Sequence, residues 1–141
     1  GNWQNIDALR GWRPPEGENI VVSVHYYEPH AFTHQNAEWM GADAPNFGRE
    51  WGTGEDRTQV REHLMCAVDW GARRGYAIQL GEFGVNGALA IQQRAQWTRT
   101  VREICEASGM AWCVWDFAGA FPIWDRDTGA FIPLMRDALF A

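Results

Sequence analysis

The order of apolar segments in this chain predicts an α/β fold built on a parallel sheet. Three observations carry that expectation. Three short runs rich in β-branched and aromatic residues recur along the chain, long segments of helical periodicity separate them, and glycines punctuate the junctions. Strand, helix, strand, helix, strand, helix is the order that crossover connections between parallel strands require.

The first strand is expected in "NIVVSVHYY" (19–27), after a Pro-Glu-Gly turn, and the next in "RGYAIQLGEFG" (74–84). The third lies in "GMAWCVWDF" (109–117), giving expected strands at about 19–27, 76–82 and 110–116. Between the first two, Val60, Leu64 and Val68 recur every fourth residue. Thr53 and Asp56 form a capping-box pattern at the start of that helix, and Gly75 suits its C-terminal cap. A second helix is expected over about 88–108, with Ile91, Ala95, Trp97, Val101, Ile104 and Cys105 as its buried stripe and Gly109 closing it. Pro133 suits the first position of a short last helix burying Leu134, Ala138 and Leu139. Residues 28–54 have no regular pattern. A connection of that length, leaving the C-terminal end of a parallel strand, is where such folds place their sites.

A chain of 141 residues fits one domain with its own core. No apolar run is long enough to span a bilayer, so no membrane partner is expected. The net charge of −6 offers no basic stripe to replace phosphate counterions, so no nucleic-acid partner is expected either. All 12 basic residues are arginine, a bias read as genomic rather than functional. No signal peptide opens the chain, which suggests a mature form or a cut segment. Cys66, Cys105 and Cys113 show no metal-binding spacing and are expected to behave as small buried apolar residues, with one disulfide still open. Nine tryptophans exceed what so small a core needs. Flat apolar ligand faces, such as those of sugar rings, are the other common use of exposed indoles.

The chemistry-bearing side chains collect at the strand ends. His25 and Tyr27 stand two apart on the first strand and so share a face. Glu82 sits between two glycines at the end of the second, and Trp115 and Asp116 close the third. Singly, each residue is more often structural than functional. Together, neighbouring strands deliver them to one rim.

"NIVVSVHYYEPHAFTHQNAEW", "LGEFG" and "WCVWDF", in this order, resemble the C-terminal half of glycoside hydrolase family 5, the cellulase-type (β/α)8 barrels. The resemblance runs from about Asn2 to the C-terminus. It implies a single half-barrel domain over 1–141, from the end of the family's strand five through its eighth helix. It implies a retaining hydrolase of β-1,4-glucan that uses neither cofactor nor metal, with secreted or periplasmic location favoured. By the same resemblance Glu82 is the nucleophile, Tyr27 its hydrogen-bonding partner, His25 a neighbour in the same subsite and Trp115 the sugar platform. Trp3, Trp39, His34 and Gln35 are groove or loop residues, His34 equally suited to bracing the loop. A retaining glycosidase needs two carboxyl groups about 5–5.5 Å apart, one attacking and one donating a proton. The family's proton donor follows an asparagine, and these residues contain no Asn-Glu pair. Three strands also leave two sheet edges open. The expectation is therefore a half-barrel that pairs with a second copy, either a glucan hydrolase in assembly or a catalytically silent glycan-binding or folding fragment.

Overall fold

The computed structural model describes residues 2–46 and 48–141. Its centre is a three-stranded parallel sheet in the order β1 (Val21–Tyr26), β2 (Ala77–Phe83), β3 (Ala111–Trp112). The strand at 110–116 has a short ladder, but its hydrogen bonding continues: Cys113 and Trp115 donate their amides to the carbonyls of Leu80 and Phe83. A parallel bridge between Asn5 and His25 brings the N-terminal segment alongside the end of β1. This is half of a (β/α)8 barrel.

One face of the sheet is covered. Val22, Val24, Tyr26, Leu80 and Phe83 point toward the helices and are nearly inaccessible, joined there by Phe32, Trp97 and Val101. The opposite face, which would be the barrel interior, carries Val21, Ser23, Ala77, Ala111 and Cys113, and stays open to solvent or only half covered.

The two long helices form as their sequences direct. The helix α2 (Gly54–Arg74) follows α1 (His30–Thr33), a single turn in the long connection. Thr53 accepts from the Asp56 amide while the Asp56 carboxylate accepts from the Thr53 amide, and Gly75 closes the helix in a left-handed conformation at φ 76°. Burial alone would raise the Asp56 pKa, but hydrogen bonds from Thr53 and Gly52 and the Arg49 guanidinium outweigh it and hold the carboxyl below its usual range. The next helix, α3 (Ile91–Ala107), buries Ala95, Trp97, Val101, Ile104 and Cys105 as its period predicts, with Ile91 half-buried. The last, α4 (Pro133–Phe140), starts at its proline.

Three expectations need correction, and one pair of strands was not expected. Leu134 is exposed, and Met135, one position on, takes the buried place because only that phase of α4 meets α3. Residues 28–54 are not wholly irregular: besides α1, a 3-10 segment runs over Glu38–Asp43. Cys66 and Cys113 are exposed, since one lies on the outer face of α2 and the other on the bare sheet face; all three cysteines are free and only Cys105 is buried. An antiparallel hairpin, β4 (Trp124–Asp125) with β5 (Ala130–Phe131), separates β3 from α4 and had no sequence signal. Among the described residues no helix is long and apolar enough to cross a membrane.

Candidate active site

The C-terminal ends of the strands open into a cleft of about 850 Å3 lined by His25, Tyr27, Glu82, Trp115, Trp39 and Trp3, among others. How Glu82 reaches it is a matter of strand phase. Side chains alternate along a strand, so with Leu80 facing the helices, Gly81 faces the cleft and Glu82 should turn back into the core. The register instead slips by one residue: Val24 pairs with Leu80, but His25 pairs with Glu82. Gly81 is the extra residue of a β-bulge. The burial pattern restarts, with Gly81 and Glu82 both half-exposed on the cleft side and Phe83 returning to the core.

The glycines beside Glu82 serve this packing. A Cβ on Gly81 would overlap the Ser23 hydroxyl, and one on Gly84 would overlap the Trp115 carbonyl oxygen. The flanking glycines therefore admit the neighbouring strands.

The Glu82 carboxylate is held at one oxygen. Tyr27 donates its hydroxyl to Oε2 at 2.9 Å, and His25 Nδ1 lies 3.2 Å from the same atom. Oε1 has no hydrogen-bond partner among the described residues. Burial, then the hydrogen bond and charge of Glu82, then the charge of Asp116 push the Tyr27 phenol well above the usual tyrosine range. It remains a neutral donor at any working pH.

Tyr27 is itself fixed. Thr33 donates its hydroxyl to the Tyr27 carbonyl at 2.6 Å, and its Oγ1 is 2.9 Å from His34 Nδ1. With the hydroxyl proton so committed, the bond to His34 requires a protonated Nδ1, the neutral tautomer. Burial and the neighbouring His30, stacked at 3.8 Å between ring centroids, lower the His34 pKa to about 4. His34 thus lines the cleft and braces its loop at once.

Trp115, Trp39 and Trp3 are exposed by 47%, 56% and 90%, as an aromatic rim requires. Gln35 stands apart: it is buried, and its amide donates to the Arg49 carbonyl at 2.7 Å. Its place is in the scaffold of the long connection, outside the cleft lining. The cleft also contains Gln4, Asp116, Ala120 and Phe121. Asp116 was visible as a polar strand end. Phe121 was not, because it belongs to an aperiodic loop, yet its ring centroid lies 5.7 Å from Tyr27, 5.2 Å from His34 and 5.6 Å from Trp39. Among the described residues no three His, Cys, Asp or Glu side chains converge as a metal site.

A half-barrel with a braced carboxylate and an aromatic rim at its C-terminal end is the class that fold and cleft define. Residues 1–120 match the model of the cellulase family, glycosyl hydrolase family 5, and the chain belongs to that family. It is 29% identical over 147 aligned positions to endoglucanase H of Acetivibrio thermocellus, an alignment covering 99% of this chain and 15% of that protein. It superposes on a hyperthermophilic endo-β-1,4-glucanase in complex with substrate with a TM-score of 0.91 and 37% identity, covering 99% of this chain and 45% of the other. Against the Thermotoga maritima Cel5A structure in complex with cellobiose the TM-score is 0.93 at 29% identity, covering 98% of this chain and 45% of that one. The chain thus spans less than half the length of these solved structures and about a seventh of the curated relative.

Proposed function

We propose that this chain is the nucleophile-bearing segment of a retaining β-1,4-glucanase. The observation that carries the reading is the Glu82 carboxylate in an aromatic-rimmed cleft, bound at Oε2 by Tyr27 and His25 with Oε1 unpaired among the described residues. Oε1 attacks the anomeric carbon of a sugar seated on Trp115. The C–O bond to the leaving sugar breaks, and a glycosyl ester forms on Glu82. Tyr27 and His25 fix the carboxylate plane so that little reorganisation accompanies attack. Trp39 and Trp3 extend the platform for neighbouring sugars, with His34 beside them. The departing oxygen needs a proton, and the family's Asn-Glu donor is not among these 141 residues. The donor is supplied from outside them, by another segment or by a second copy joined through the open sheet edges.

The missing donor also favours a second reading, a glycan-binding segment without turnover. Trapping separates the two. A 2,4-dinitrophenyl 2-deoxy-2-fluoro-β-cellobioside needs no proton donor, because dinitrophenolate leaves unaided, and its fluorine slows breakdown of the ester. Mass spectrometry should find one fluorocellobiosyl group on the peptide containing Glu82, and none on the Glu82→Gln variant. Binding of cello-oligosaccharide without any label would establish the second reading instead.

A further inference from the structure

Arg94, on the first turn of α3, is 4% exposed, and its guanidinium has no carboxylate within ion-pair distance among the described residues. Its Nη2 donates to the carbonyl oxygen of Pro122, and its Nε has no hydrogen-bond partner. Burying a charge without a counter-ion opposes folding, so an apolar side chain would suit this place better if stability alone mattered. What Arg94 grips is the loop between β3 and the hairpin, at the residue next to Phe121.

Phe121 is fixed from three directions. The Gly87 amide donates to the Ala120 carbonyl at 2.8 Å, the Asp116 amide to the carbonyl of Phe121 itself at 3.1 Å, and Arg94 takes the Pro122 carbonyl. Gly87 lies so close to the Pro122 ring that a Cβ there would sit 2.9 Å from its Cδ. The ring so placed is 4% exposed and packs edge-on against Tyr27.

We infer that Arg94 is a positioning residue of the glycosidase site: its hold on Pro122 sets Phe121, and Phe121 sets the Tyr27 ring whose hydroxyl orients Glu82. The inference rests on the assignment of Glu82 as nucleophile, and the experiment treats the two separately. Labelling kinetics with the fluorocellobioside give an inactivation rate constant and a binding constant. Arg94→Met should lower the rate constant about tenfold, as a small misplacement of reacting groups does. Its melting temperature should be unchanged or higher. Arg94→Lys, which keeps a donor, should recover part of the loss, and Arg99→Met, on the exposed side of the same helix, should change nothing. If Arg94 acts through Phe121, the double variant with Phe121→Leu should be no slower than the slower single one.

An unchanged rate constant in Arg94→Met, a loss confined to the labelled fraction, or multiplicative effects in the double variant would each overturn the inference. If the parent chain takes no label, the nucleophile assignment fails by itself. Hydrogen exchange then decides for Arg94. Its replacement by Met should speed exchange at the Gly87 and Asp116 amides, and unaltered protection there would show that the guanidinium does not hold the loop.

Discussion

Two side chains around Glu82 make distinct demands that can be measured. Tyr27→Phe removes the hydroxyl that bonds Oε2 while keeping the ring that meets His34 and Phe121. Labelling of Glu82 should slow by about 10²-fold, the scale of losing one oriented donor, with the fold intact by circular dichroism. His34 makes a different demand, one on stability. Its folded pKa, about 4, lies below the ordinary histidine value of 6.5. Between these values the unfolded chain takes up a proton that the folded chain refuses, so stability falls as pH drops from 6.5 toward 4. His34→Gln should flatten that part of the urea-midpoint profile; an unaltered slope would show that His34 protonates freely in the fold. His30 is the one titratable group stacked on it, with Tyr27, Trp39 and Phe121 supplying the apolar walls.

At the scale of elements, β2 shows how closely strand phase and chemistry are tied. Gly84→Ala would drive a methyl group into the Trp115 carbonyl, displacing either β3 or the turn after Glu82. The expected cost is about 1–3 kcal/mol, read from chemical denaturation, together with weaker cello-oligosaccharide binding by calorimetry as Trp115 moves. An alanine variant of unchanged stability would mean that the two segments are less closely apposed than described. The same strand marks where sequence reasoning stops. The helices were legible because 3.6-residue periodicity and the caps Thr53, Asp56 and Gly75 are local signals. The His25–Tyr27–Glu82 constellation was legible because strand ends converge in parallel folds and the motifs match a family. The bulge at Gly81 was not, since alternation alone would have turned Glu82 inward. Nor were the hairpin, the burial of Gln35, or the placement of Phe121 and Arg94. Each depends on contacts between loops distant in sequence, which leave no period to read.

The molecule as a whole is a sheet covered by helices on one side. Its opposite face, with Val21, Ser23, Ala77, Ala111 and Cys113, stays open, as do the outer edge of β3 and, short of the Asn5 bridge at His25, that of β1. Pairing through a two-fold along the barrel axis would set β3 of one copy beside β1 of the other, all strands parallel. Light scattering at micromolar concentration should then give twice the 16.0 kDa chain mass. A monodisperse species at the single-chain mass would exclude that pairing. The network around Glu82 closes among the described residues of one continuous stretch: Tyr27, His25, Thr33, His34, Asn86 and Phe121 bond or pack with one another. Recombination can therefore move this stretch between barrels as an intact cassette. What is carried along is the bracing of one carboxylate, while the groove around it is free to differ from one barrel to the next.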